Sequence, residues 1–580
     1  MTTNSKPKMI VVGGGLAGLM ATIRLAEAGH SIDLLSIVPC RRSHSVCAQG
    51  GINASVNTKG EGDSPQIHFE ETILGGDFLA NQPMVLEMCK NAPNFVYMLD
   101  RMGVQFNRTA EGLIDFRRFG GTKFHRTAFA GSTTGQQMLY ALDEQVRRFE
   151  AEGKVTRYEG WEFLSAVMDE GDVGRGIVAM NLANFEIRAF KSDATIFATG
   201  GCGMIYGRST MSMICTGAAA GSLFQQGVWY ANGEFVQVHP TAIAGEDKNR
   251  LISEAVRGEG GRLWTNKDGK RWYFLEEWYP KYGNLVPRDI ASRAIFKVVR
   301  EMKLGVNGED IVYLDISHLD PKFLKSRLAG IIEIYEKFMN EDPSKVPMRV
   351  FPSVHYSMGG LYINAQHMSN VPGILAAGEC DYQYHGANRL GANSLLSCLQ
   401  GGIASAENAA KYAEGLAAGT EAVSSKWFDQ QVRKEESKND ELLRMRGREN
   451  PYKIWEEMGQ VMTNHVSVVR HNKKLEETDQ KLQELMKRTS DIGMSDASKW
   501  ANQSLVFTRQ LLNMLQIARV ITLGALARNE SRGAHYKPDF PNRDDANWLK
   551  TTIAKYTPKG PELSYEAVDT SLLKPRERKY

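Results

Sequence analysis

The order of apolar and polar positions divides the chain into regions of different period. A short apolar run, Lys8 to Val12, predicts a strand. Glycine-rich Gly13-Gly14-Gly15-Leu16-Ala17-Gly18 follows at once. A mostly apolar stretch then predicts a helix up to Ala28, stopped by Gly29, with a second strand from Ser31 to Leu35. Two further short apolar runs end in sharp turns: Ala194 to Phe197 before Ala198-Thr199-Gly200-Gly201, and Ile374 to Ala377 before Gly378-Glu379. Gly131-Ser132-Thr133-Thr134-Gly135 opens a helix through Leu139 and Leu142, and Glu234 to Thr241 reads as a strand running into a turn. Beyond Glu421 the period becomes helical over 421–447, 452–489 and 497–519, and from Arg528 the text turns polar and proline-punctuated, predicting an irregular tail.

The first block is G-x-G-x-x-G between a strand and a helix. In that context the glycines permit a tight turn and a close backbone approach, and the helix N-terminus faces a pyrophosphate. The acid that usually ends the second strand and holds a ribose is replaced by Ser36. The two later glycine turns return the chain to the nucleotide site, which suits a long ligand such as FAD better than NAD. Glu379 supplies a carboxylate suited to a ribityl hydroxyl, or else a solvated turn acid. The predicted class is therefore α/β: a Rossmann-like FAD-binding domain built from 1–240 and 351–415, an inserted α+β capping domain at 241–350, a helical domain at 421–530, and a C-terminal segment at 531–580.

Composition narrows the picture. The 580 residues carry a net charge of +3 with ordinary hydrophobic and charged fractions, so the chain is a folded protein with no special attraction for nucleic acid. Seven dispersed cysteines without a C-x-x-C pair predict no metal, haem or iron–sulfur site. A strand beginning by Met9 leaves no room for a cleavable leader, and no run of 18 apolar residues predicts a membrane span.

Candidate chemistry lies in Arg41-Arg42-Ser43-His44-Ser45-Val46-Cys47-Ala48-Gln49-Gly50-Gly51, where a histidine sits beside a glycine pair and is a candidate covalent anchor for a flavin. Four further segments place cations or imidazoles beside glycine or proline. They are His239-Pro240-Thr241, Ser253-Glu254 with Arg257-Gly258-Glu259-Gly260-Gly261, His355-Tyr356-Ser357-Met358-Gly359-Gly360, and His385 to Leu395 with Arg389; Pro287-Arg288-Asp289 adds an arginine just before a helix. Such donors with few acids suit a small dicarboxylate, arginine being the bidentate partner. Taken singly, each residue also reads as a satisfied structural histidine or a surface cation.

Together with Arg117-Arg118-Phe119-Gly120-Gly121 and the Glu530-Ser531-Arg532-Gly533-Ala534-His535 segment, these motifs lie in the order found in one family, which the chain resembles from residue 9 to about 550. It is the flavoprotein subunit of succinate dehydrogenase and fumarate reductase. The resemblance implies that His44 bonds the flavin 8α-methyl. It implies that His239, Ser253, His355 and Arg389 hold the succinate or fumarate carboxylates, with Phe119 and Gly51 against the substrate. Arg288 would transfer the proton, through Glu254 and Arg257. FAD would contact Gly13, Gly14, Gly15, Leu16, Ala17, Gly18, Ser36, Ser43, Ser45, Gln49, Gly50, Ala198, Thr199, Gly200, Glu379, Arg389, Ser394 and Leu395; Cys47 is read as packing. Ser253 stands where many relatives have threonine, and the hydroxyl survives.

The resemblance also implies an iron–sulfur subunit, a haem-containing membrane anchor, and quinone reached only through those partners. The place implied is peripheral, on the cytoplasmic face of a bacterial membrane. Two alternatives stay open at this point. One is an L-aspartate oxidase, a soluble relative lacking the covalent histidine; the other is an RNA-modifying or regulatory flavoprotein, which the evenly spread charge does not favour.

Overall fold

A computed structural model describes residues 7–579. The segment ahead of Pro7, where no leader is expected, lies outside the described residues. At the centre is a five-stranded, all-parallel sheet in the order Ile374–Ala376, Ala194–Phe197, Lys8–Val12, Ser31–Ser36, Val155–Glu159. Val12 pairs with Phe197, and Phe197 with Ala376. In-register parallel pairing puts the carboxyl ends of three strands side by side, so the turns after Val12, Phe197 and Ala376 meet although they are far apart in sequence. Helix Leu16–Glu27 is apolar nearly all round and buried accordingly. It packs on helix Ser394–Glu414 so closely that a Cβ on Gly402 would lie 2.5 Å from the carbonyl oxygen of Ala17.

The inserted region forms a six-stranded sheet in the order Arg250–Leu251, Val236–Ile243, Met348–Ser357, Val312–Asp315, Arg262–Lys267, Lys270–Trp272. It has its own core, with Leu263, Phe274, Val286, Ile295, Leu314 and Met348 fully buried. The expected boundaries at 240/241 and 350/351 fall inside Val236–Ile243 and Met348–Ser357. The chain thus enters and leaves this region along one antiparallel pair, and no linker separates it from the first domain.

Two expectations for the C-terminal half need correction. The stretch 452–489 is two helices, Pro451–His465 and Asn472–Arg488. Between them Val466-Ser467-Val468-Val469 disfavours helix, and the buried Arg470 donates to the carbonyl of Glu234 at 2.7 Å, pinning the turn. The tail is not irregular throughout. Lys550–Lys555 and Glu562–Ala567 form a hairpin that extends the short strands Tyr230–Ala231 and Gly360–Leu361 into a four-stranded sheet. The preceding segment is fixed by buried ion pairs, Arg528 to Glu234 (2.8 Å) and Glu530 (2.9 Å), and Arg532 to Glu530 (2.8 Å).

Helix Gln503–Ala527 is the one helix among the described residues with the length and apolarity to cross a membrane, yet it packs between Asn472–Arg488 and Ala218–Gln225 as a core helix. Its Gln510 donates to Glu162 at 2.8 Å. Burial pushes the Glu162 carboxyl up to about 7, against the opposing effects of Gln510 and Arg509. The raised folded value means the native state holds an extra proton above the unfolded carboxyl's range, so stability falls as pH rises toward about 7 and stays lowered above it. Glu162→Gln should therefore raise the melting temperature at pH 8 by more than at pH 5; equal effects at both values in a thermal melt would contradict this.

Candidate active site

Two cavities meet in this frame. The first, about 1010 Å³, runs over the three carboxyl-end turns and is walled by Gly13 to Ala17, Leu35 and Ser36, Ser43 to Ser45, Ala198 to Gly200 and Glu379. The second, about 1480 Å³, lies between the sheets and is walled by Gln49 to Gly51, Phe119, His239, Ser253, Glu254, Arg288, His355, Arg389, Ser394 and Leu395. His44, Ser45, Glu379 and Cys398 line both. Of the sequence-predicted residues, Gly18 and Arg257 lie behind these walls.

The glycines show whether the first cavity suits a dinucleotide. A Cβ on Gly13 would sit 2.1 Å from the Ala198 carbonyl oxygen, and one on Gly18 only 1.8 Å from that of Gly13, so these two serve the tight turn and helix–strand packing. Gly15 is different: its nearest neighbour would be Ser45 Oγ at 3.4 Å, and Gly200, at φ +75°, would meet nothing within 4 Å. Gly15 is the second glycine of the fingerprint, where a pyrophosphate would come close to the backbone, and the open space there fits FAD.

His44 is held from two sides. Ser45 Oγ accepts from the backbone N–H of Leu16 at 3.3 Å, tying the turn to the fingerprint helix. The backbone N–H of Ser212 donates to His44 Nδ1 at 3.1 Å. With Nδ1 accepting, the proton of the neutral ring sits on Nε2. Burial, then the nearby Lys248, pushes His44 down to about 3, so the ring is neutral at physiological pH. The glycine pair behind it is packed by protein groups. A Cβ on Gly50 would strike Phe119 at 2.6 Å, and one on Gly51 (φ +136°) the Ala128 carbonyl oxygen at 2.4 Å, while buried Arg117 donates through Nε to the Gly50 carbonyl at 3.1 Å.

The second cavity depends on one β-bulge. Gln237 pairs with Tyr356 and Val238 with Val354, which leaves His355 as the extra residue. Its ring lies 5.0 Å from that of His239 on the partner strand. Thr210 Oγ1 stands 2.7 Å from His355 Nδ1, and His239 Nε2 is buried with no protein partner. Burial, then the Arg288 charge, holds both imidazoles well below their ordinary value. Arg389 lies 4.3 Å from the Tyr356 ring with its Nε unpartnered; burial, then Arg288, pushes it down to about 9.

Arg288 opens helix Arg288–Phe296 and donates through Nε to Glu254 Oε2 at 2.8 Å and through Nη1 to Gln237 Oε1 at 3.0 Å. The other Glu254 oxygen accepts from Arg257 Nη2 at 2.7 Å, and Arg257 Nη1 donates to the carbonyl of Asn284 at 2.6 Å. Burial alone would raise the Glu254 carboxyl, but Arg288 and Arg257 hold it below its ordinary value. Glu379 is raised to about 8 by burial; it accepts from the Ser357 amide at 3.0 Å. Sequence reasoning passed over Gln237, although it shares a strand face with His239 two residues on. It had no means of finding Thr210 and Ser212, which come from a loop with no motif.

The FAD binding domain family matches residues 8–395, and the fumarate reductase flavoprotein C-terminal family matches 455–580. The succinate dehydrogenase flavoprotein subunit of Bacillus subtilis is 64% identical over 578 residues, covering 99% of each chain. This chain belongs to the succinate dehydrogenase and fumarate reductase flavoprotein family. The fumarate reductase flavoprotein subunit of Escherichia coli is 36% identical, covering 99% of this chain and 95% of its own. A solved E. coli quinol fumarate reductase flavoprotein variant superposes with a TM-score of 0.93 at 34% identity, covering 99% of both chains. The family member is an FAD-dependent oxidoreductase, and the aspartate oxidase and nucleic-acid alternatives fall away.

Gly15→Ala and Gly13→Ala should separate fold from ligand. The first keeps the parent's melting temperature without FAD but weakens FAD binding tenfold or more, read by flavin fluorescence. The second lowers the melting temperature itself.

Proposed function

We propose that the chain interconverts succinate and fumarate, with 241–350 as the cap over the reacting centre. The observation that carries the reading is that His239, His355, Arg389 and Arg288 line one cavity, which shares His44, Ser45, Glu379 and Cys398 with the dinucleotide cleft. Bound FAD supplies the two-electron redox chemistry. His239 and Ser253 take one substrate carboxylate and His355 and Arg389 the other; unpartnered Nε2 of His239 and Nε of Arg389 are donors awaiting an acceptor. Phe119 and Gly51, on the same wall, would pack against the carbon chain and exclude water.

Oxidation of succinate removes a hydride and a proton. Arg288 receives the proton in that direction and delivers it in fumarate reduction. Free arginine is a poor base, with a pKa above ~12. Here Glu254 and Arg257 extend from Arg288 as a continuous hydrogen-bonded path along which a proton can be returned. Clamping the carboxylates also stabilises charge that develops at the double bond.

His44 is the covalent 8α-histidyl attachment in this reading. Substitution at Nε2 would leave Nδ1 as the acceptor that the Ser212 amide already addresses. Such a link would raise the flavin potential, which oxidation of an unactivated CH₂–CH₂ bond requires. The remaining flavin contacts proposed are Gly14, Leu16, Ala17, Ser36, Ser43, Gln49, Gly50, Thr199, Ser394 and Leu395. Electrons then pass to an iron–sulfur subunit and, through a haem-bearing anchor, to or from quinone, with the subunit peripheral on the cytoplasmic face. The relatives are named as subunits of such dehydrogenases and reductases, which supports this assignment.

Arg288→Ala and Arg288→Lys should fold and bind dicarboxylate but lose turnover roughly 10²–10⁴-fold; near-normal turnover in either removes Arg288 from proton transfer. His44→Ser should bind FAD noncovalently, keeping part of the fumarate reduction and losing succinate oxidation. Acid-precipitated parent protein should stay yellow and the variant should not; flavin remaining on denatured His44→Ser refutes the anchor.

A further inference from the structure

The substrate cavity holds one charge that the proposed chemistry does not use. Arg288 is paired with Glu254, and Arg250 with Asp247 at 2.6 Å. Arg389 has no carboxylate partner and is already assigned to the clamp. Lys248 is the remaining cation on the wall. It is half-buried, and its Nζ donates to the Thr210 carbonyl at 3.1 Å and lies 3.9 Å from Cys47 Sγ; among the described residues no carboxylate is within ion-pair distance. Partial burial of an ammonium without a counter-ion is unfavourable, and surface lysines ordinarily avoid it.

Its position gives the charge a use. The cavity is lined by the buried clamp and also by exposed Thr133 and Phe338 and half-buried Gln136 and Arg250. Thr133 and Phe338 are exposed, and the Arg250 guanidinium is stacked 4.8 Å over the Phe338 ring with its charge met by Asp247. Lys248 is thus the unneutralised cation of a cavity whose lining includes both exposed residues and the buried clamp. It also sits on Thr210, whose hydroxyl contacts His355, so the outer charge and the inner imidazole share one support.

We propose that Lys248 is an outer landing site for the incoming dicarboxylate, attracting the dianion into the cleft before it passes to Arg389. The proposal rests on the succinate–fumarate reading of the same cavity. A charge of this kind acts on the association rate and its salt dependence, and little on the bound complex. It assigns Lys248 no part in hydride or proton transfer.

The test uses flavin-loaded full-length protein and malonate, an unreactive dicarboxylate, followed by stopped-flow flavin absorbance. Lys248→Gln should lower the association rate constant roughly fivefold to tenfold, with the dissociation rate within about twofold of the parent and a flatter dependence on ionic strength. Lys248→Arg should restore both. Alkylation of Cys47 gives a second, redox-independent measurement: the ratio of its reaction with anionic iodoacetate to that with neutral iodoacetamide, read by peptide mass spectrometry, should fall several-fold in Lys248→Gln. Unchanged association and an unchanged alkylation ratio overturn the proposal, as does slowed binding that retains the parent's salt dependence. If the parent fails to bind malonate, the dicarboxylate reading is overturned and this proposal with it.

Discussion

The antiparallel pairing of Val236–Ile243 with Met348–Ser357 is the constraint on which the site depends. One strand carries Gln237 and His239; the other carries His355, thrown out of register by the bulge. The same two strands join residues 241–350 to the first domain, so both histidines sit at the junction itself. The bulge makes the arrangement possible at small cost, since a single unpaired residue re-aims one side chain without ending the ladder.

The buried triad Arg288, Glu254 and Arg257 is the second fixed point. Such a group is a poor source of net stability, because desolvating three charges costs about as much as their attraction returns. What it contributes is geometry: each carboxylate oxygen has one guanidinium partner, so Arg288 cannot turn away from the cavity without leaving Glu254 half satisfied. Gln237 adds a second hold on Arg288 and, through its amide nitrogen, a contact to the carbonyl of Arg389 at 2.8 Å. The proton-transfer candidate and the anion clamp are thereby linked through one neutral side chain.

Much of this was legible in the sequence, and the parts that were not have physical reasons. Glycine positions are readable because the chain must come close to something there, and Gly13 and Gly18 do meet backbone at under 2.2 Å from a notional Cβ. The strand and turn around His239 carried its own signal. The hairpin at Lys550–Lys555 did not: Lys-Thr-Thr-Ile-Ala-Lys is short and mostly polar, and it is a strand because Tyr230–Ala231 offers it an edge. The break at 466–471 was hidden because Arg470 finds its partner in the far-off carbonyl of Glu234. Thr210, Ser212 and Lys248 come from loops, where position is set by what packs around them and not by period.

The parallel sheet has a consequence for how the protein is made. Its nucleotide cradle requires strands ending at Val12, Phe197 and Ala376, and the last of these leaves the ribosome some 360 residues after the first. At about 5–20 residues per second, that is roughly 20–70 seconds of synthesis before the last strand of the cradle can pair with Ala194–Phe197. The Lys8–Val12 strand can pair early with Ser31–Ser36, but the turn that faces FAD is incomplete until Ile374–Ala376 docks. Loading of the cofactor is therefore a late event in the life of the chain, timed by topology and not by when the fingerprint is translated.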